Sequence, residues 1–219
     1  MFYPSDTMIA TGTFIDEALI QHYREEFAST NCILVPGFLS GNVLESILKK
    51  LNLAPFQTKF EMNEMNKFGK VLFVPVNAPV VFTFQLLLNN PDLFSMLQDI
   101  AQCDHIGNFT GRIHRSEEGG DHAIGWHSDN SDNRLLAITL CLGTDDYTGG
   151  KFQIRKTGDE HIIKEFGQLN AGDAIIFKIS PDLEHRLTTL ENGRRTVGVG
   201  WFRSQPDFTT FASMHLKPY

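Results

Sequence analysis

Cysteine, tryptophan and positive charge are all scarce in this chain of 219 residues. The three cysteines, Cys32, Cys103 and Cys141, are odd in number and far apart, which excludes a disulfide framework and leaves them as small buried hydrophobes in a reducing compartment. Lys and Arg number 19 against 26 Asp and Glu, a net charge of -7, so no long-range field draws the protein to nucleic acid or to an anionic membrane. No apolar run approaches the length that crosses a bilayer. The first thirty residues, with Asp6, Asp16, Glu17, Glu25 and Glu26, lack the basic start and apolar stretch of a secretory signal. The expected location is cytoplasmic. Internal repeats and low-complexity segments are missing as well. Phenylalanine is plentiful instead, at 18 residues, which points to an aromatic core and a partly apolar cavity lining.

The length suits one domain over residues 1–219, with 1–104 as helical and strand support, 105–204 as the core and 205–219 as a tail. Cys32 to Val35 is an apolar run ending at Pro36-Gly37, and Ser40 is placed to cap a helix through Val43, Leu44, Ile47, Leu48 and Leu51. Residues 54–70 are polar and weakly patterned, which predicts a loop or lid. Residues 71–84, with Pro75 and Pro79, predict an edge strand with irregular turns. A second helix begins at Pro91-Asp92 and carries Leu93, Phe94, Leu97, Ile100 and Ala101.

Beyond residue 105 the pattern changes to eight short strands, at Gly107–His114, Ala123–His127, Leu135–Leu142, Phe152–Arg155, His161–Glu165, Ala174–Ile179, Glu184–Thr189 and Thr196–Phe202, separated by Gly- and Asp-rich turns. The fold expected is mainly β with flanking helices, around a double-stranded β-helix, or cupin-like jelly roll.

His127 and Asp129 form an H-x-D pair, and His185 follows 58 residues after His127. Residues two apart on an extended strand share a face, so an imidazole and a carboxylate can converge on one ion while a distant strand supplies the third ligand. Two neutral imidazoles and one carboxylate that leave the opposite face open suit a non-haem Fe(II) site. Taken alone, an H-x-D is more often a surface turn; its place at a strand end upstream of His185 argues for the metal. Arg195 shares a strand face with Val197, Val199 and Trp201, so it points into the barrel if they do. A buried guanidinium needs an anion, either an internal acid or a diacid cosubstrate whose remote carboxylate takes a forked pair of hydrogen bonds.

Tyr147-Thr148-Gly149-Gly150-Lys151-Phe152, then Ala171-Gly172-Asp173-Ala174-Ile175-Ile176-Phe177, then His185 through Gly193-Arg194-Arg195 to Trp201-Phe202 resemble the catalytic half of iron(II)/2-oxoglutarate-dependent dioxygenases, most closely the prolyl 4-hydroxylase-like branch. The resemblance covers about residues 107–204. It implies that His127, Asp129 and His185 hold Fe(II), that Arg195 binds the distal carboxylate of 2-oxoglutarate, and that O2 is the second cosubstrate, with ascorbate a further candidate. Family members often place a tyrosine on the strand before H-x-D to help hold 2-oxoglutarate. This chain has Arg112-Ile113-His114-Arg115 there, so the second contact falls to Thr139, Arg112 or His114.

The implied reaction is hydroxylation of an unactivated C–H bond in an amino acid, peptide residue or specialised metabolite, with succinate and CO2 as coproducts. Asp129 favours hydroxylation over halogenation, in which relatives carry a small residue at that place. Desaturation, cyclisation and epimerisation stay open, as do a zinc hydrolase and a non-catalytic metal-binding jelly roll. Candidate substrate contacts are Trp126, Asn130, Arg134 and Trp201, with Trp201 also suited to barrel core. The sequence sets no oligomeric state.

Overall fold

The computed structural model describes residues 16–62, 68–130 and 133–204; the predicted tail at 205–219 lies outside them. Helix α1 (Glu17–Thr30) begins where the Asp16 carboxylate accepts the Ala18 N–H at 3.1 Å, and it buries Ile20, Tyr23 and Phe27. The chain then forms β1 (Cys32–Val35), α2 (Gly41–Asn52), β2 (Gln57–Met62) and β3 (Phe68–Phe73). The segment read as a loop or lid is thus largely a hairpin, because Gln57 to Met62 finds an antiparallel partner in β3 that its polar composition does not advertise.

Helices α3 (Pro79–Leu88) and α4 (Pro91–Ala101) follow. Here the predicted edge strand over 71–84 is corrected: Pro79 starts a helix rather than breaking a strand, since the first helical turn needs no amide donor from it. Val80, Val81, Phe84 and Leu88 supply the buried face of α3. Gly198 makes this packing possible, because a Cβ there would lie 2.6 Å from the Phe84 ring.

All eight expected strands are present, as β4 (Asn108–Glu117), β5 (Ile124–His127), β6 (Arg134–Cys141), β8 (Phe152–Lys156), β9 (Ile162–Phe166), β10 (Ala174–Lys178), β11 (Leu183–Leu187) and β12 (Leu190–Arg203), with a short β7 (Tyr147–Gly149) added. The larger sheet runs β1-β10-β6-β12-β4-β3-β2, with β7 on the first part of β12; the smaller runs β5-β11-β8-β9. The two sheets form an open jelly roll rather than a closed barrel. Gly193, with φ of 82°, lies within β12 where the strand passes from β7 onto β4 and β6.

Alternation along the strands separates two cores. Leu136, Ile138, Leu140, Ala174, Ile176, Phe109, Ile113 and Phe202 point to the helices, whereas Ala137, Cys141, Ile175 and Phe177 meet Phe152 and Ile154 of the other sheet. Strands β6 and β10 are therefore apolar on both faces, which explains their unbroken hydrophobic sequence. Ala137, Phe152 and Phe177 of this second core also line a cavity.

Candidate metal centre and cosubstrate cavity

The antiparallel register of β5 and β11 sets His127 directly opposite His185, with ring centroids 4.2 Å apart. Asp129 lies two residues past the end of β5, and the chain there still turns its carboxylate to the same side. Oδ1 is 3.7 Å from His127 Nε2 and Oδ2 is 3.6 Å from His185 Nε2. The three ligand atoms lie within 4.8 Å of one another, a spacing that one ion with bonds of about 2.1 Å draws together.

Each ligand is held in its working form. His127 Nδ1 pairs with the Gly125 carbonyl at 2.7 Å; with Nδ1 as the donor, the Nε2 lone pair faces the triad. Burial and the neighbouring His127 push the pKa of His185 down to about 3 against the pull of Asp129, so it stays the neutral imidazole a metal requires. Phe177 and Phe152 pack on its ring at 4.6 and 5.8 Å.

Asp129 accepts a 2.8 Å hydrogen bond from Trp201 Nε1 on Oδ2. Arg134 donates to its backbone carbonyl at 3.2 Å and lies 3.5 Å from Oδ1, while its guanidinium sits 4.0 Å over the Trp201 ring. Trp201 is therefore more than core: it aims the Asp129 carboxylate of the candidate metal site. Arg134, offered by sequence as a substrate contact, is occupied with the same carboxylate. Asn130 is exposed. Trp126 does not line the cavity; Arg155 and Arg186 lie 3.8 and 4.6 Å from its ring.

A cavity of about 230 Å³ holds the triad and extends to Arg195, passing Arg112, His114, Thr139 and Glu61. Arg195 is 4% exposed, its Nε has no hydrogen-bond partner, and no carboxylate among the described residues pairs with it. The internal ion pair that sequence left open is absent among these residues. A buried cation with no anion of its own, in the cavity that holds the triad, fits the distal carboxylate of 2-oxoglutarate. The residues present thus fit both iron and cosubstrate.

Across β4, β12 and β6 the three remaining candidates stand in rows: His114 opposite Val197, and Arg112 and Thr139 on either side of Val199. The Arg112 guanidinium lies 5.1 Å from the Phe73 ring centroid. Sequence missed the pair beside them. His122 is 3% exposed, with Nδ1 3.0 Å from Ser116 Oγ and Nε2 3.6 Å from Glu61 Oε2. The close approach of the His122 ring, opposed by burial and helped by Lys59, lowers the Glu61 pKa to about 2. Gly119-Gly120 was the available signal, since it lets this loop lie on β3, where Lys70 N–H donates to the Gly120 carbonyl.

A family model described as the 2OG-Fe(II) oxygenase superfamily matches residues 111–203. A PKHD-type hydroxylase of Caulobacter vibrioides is 39% identical over 70 residues, 32% of this chain; the match spans 28% of that relative's length. Among solved structures, an oxidoreductase of the 2OG-Fe(II) oxygenase family from Burkholderia pseudomallei superposes with a TM-score of 0.67 at 15% identity, covering 89% of this chain and 95% of that one. A prolyl hydroxylase from Trichoplax adhaerens, in complex with a hypoxia inducible factor oxygen degradation domain peptide fragment, gives 0.62 at 13%, covering 85% and 90%. The family match runs through His127, Asp129, His185 and Arg195, so residues 111–203 are similar to the 2OG-Fe(II) oxygenase superfamily, and the chain shares the fold of the solved prolyl hydroxylase.

Proposed function

We propose that the protein is a non-haem Fe(II)- and 2-oxoglutarate-dependent dioxygenase that hydroxylates an unactivated C–H bond of an amino acid, a peptide residue or a small specialised metabolite. The observation that supports this most is one cavity containing both an open His127-Asp129-His185 face and the unpaired, buried Arg195. Iron bound there with 2-oxoglutarate and O2 supplies the oxidising power for C–H cleavage, with succinate and CO2 as coproducts.

The chain's own residues do the positioning. His127, Asp129 and His185 would hold the ion through two imidazoles and one carboxylate. Arg195 holds the distal carboxylate through charge-assisted hydrogen bonds of about 1.5–3 kcal/mol each. Trp201 and Arg134 fix the Asp129 carboxylate, and Phe152, Phe177, Ala137 and Leu187 make an apolar wall that limits water. A peptide is a reasonable substrate class because the Trichoplax adhaerens neighbour carries one. A zinc hydrolase would use the same three ligands with an activated water, but it leaves Arg195 without a task.

The test is aerobic turnover of a metabolite and peptide library with Fe(II) and 2-oxoglutarate, read as succinate and as product mass. A gain of one oxygen supports hydroxylation; loss of two hydrogens, or an inverted centre at unchanged mass, reassigns the reaction to desaturation, cyclisation or epimerisation. Arg195→Leu is expected to raise the 2-oxoglutarate requirement at least tenfold. Hydrolysis of the library indifferent to O2 and 2-oxoglutarate would overturn the proposal.

A further inference from the structure

We infer that His114 is the second hydrogen-bond donor to the distal carboxylate of 2-oxoglutarate, beside Arg195, and that it helps select a 2-oxo diacid over a 2-oxo monoacid. The inference rests on the function proposed above. His114 is 4% exposed and lines the cavity, yet neither ring nitrogen has a hydrogen-bond partner among the described residues. Buried imidazoles are normally satisfied, so this one is arranged for a group that enters with a ligand.

Position decides among the candidates. His114 is paired with Val197, two residues from Arg195 and so one pleat repeat, about 7 Å, along the sheet. Arg112 and Thr139 flank Val199, a full repeat further away. His122, whose ring centroid is 6.1 Å from that of His114, has Ser116 and Glu61 as neighbours for its nitrogens. By register His114 is therefore the nearest of these cavity residues to Arg195, and among the described residues neither of its ring nitrogens has a partner.

Its protonation state suits the task. Burial, then the charge of Arg195, then His122 and Arg112, hold its pKa well below the ordinary histidine value. The neutral ring offers one N–H to an oxygen and adds no second charge beside the guanidinium. Arg195 supplies the charge, and His114 supplies direction. A tyrosine hydroxyl, the donor that the resemblance led one to expect, would do the same from a neutral group.

The test is an anaerobic titration of the Fe(II)-loaded protein, following the visible charge-transfer band of oxo-acid chelation, with 2-oxoglutarate and separately with pyruvate, which has no distal carboxylate. His114→Leu is expected to weaken 2-oxoglutarate about tenfold, as loss of one hydrogen bond to a charged group does, and to leave pyruvate unchanged. His114→Gln, which keeps a neutral N–H donor, is expected to recover most of the loss. Two results overturn the inference: His114→Leu binding 2-oxoglutarate as the wild type does, or losing both oxo acids equally, which marks a merely structural role. A wild-type protein that gives no band with 2-oxoglutarate refutes instead the function on which the inference rests.

Discussion

Replacing Trp201 by Phe removes the indole hydrogen bond to Asp129, the proposed metal ligand, and keeps an aromatic ring beneath Arg134, so it measures how much of the proposed metal site lies outside the triad. The indole N–H reaches Asp129 Oδ2 at 2.8 Å, and the carboxylate is 20% exposed. Hydrogen bonds to charged groups contribute about 1.5–3 kcal/mol, and partial exposure places this one near the lower end. About 1.4 kcal/mol is a factor of ten in an equilibrium constant, so Trp201→Phe should weaken Fe(II) binding roughly tenfold, at the low end of the 10–100-fold range for outer partners of metal ligands. The assay is anaerobic Fe(II) binding in competition with a chelator of known affinity, beside a thermal melt of the metal-free protein to separate metal loss from unfolding. Arg134→Met removes the other support of Asp129. Because Arg134 also stacks on Trp201, the two changes should be non-additive in a double-mutant cycle, coupled by about 0.5 kcal/mol or more. Fe(II) affinity of Trp201→Phe within twofold of wild type would refute the reasoning.

Further outcomes are expected elsewhere in the molecule. Asp129→Ala and His185→Ala should abolish succinate formation while leaving the far-ultraviolet circular dichroism of the wild type; turnover in either removes that residue from the metal site. Gly198→Ala forces a Cβ to within 2.6 Å of the Phe84 ring, an overpacking that should cost about 1–3 kcal/mol in urea denaturation. Glu61 has a folded pKa of about 2 against an ordinary 4.5, so the unfolded chain takes up its proton first. Its stabilising contribution is complete above about pH 4.5 and fades as pH falls toward 2; Glu61→Gln should flatten stability across that window, and an unchanged slope in denaturation at pH 5 and pH 3 would count against the Glu61–His122 pair.

The jelly-roll half was legible because its information is local. Period-two alternation, Gly-rich turns and strand-length apolar runs recur from residue 107 onward, and each of the eight expected strands exists. The support layer was harder to read. Gln57 to Met62 is a strand only because β3 pairs with it, and Pro79 opens a helix because the Phe84 face finds a sheet with Gly198 beneath it. Helix α1 rests on Ile20, Tyr23 and Phe27 alone, a spacing too sparse to stand out beside its polar residues.

By itself the sequence proposed the candidate ligand types and their order, and the strand parity that turns Arg195 inward with Val197 and Val199, because residue chemistry and parity do not depend on what packs nearby. Only the tertiary structure decided which groups serve those residues. It carried Trp201 across 72 positions to Asp129, left Arg195 without an acid among the described residues, and set His114 one pleat repeat from Arg195, with Arg112 and Thr139 a repeat further. Such pairings depend on which strands become neighbours, a choice made by burial of both sheet faces over the whole chain and written in no single motif.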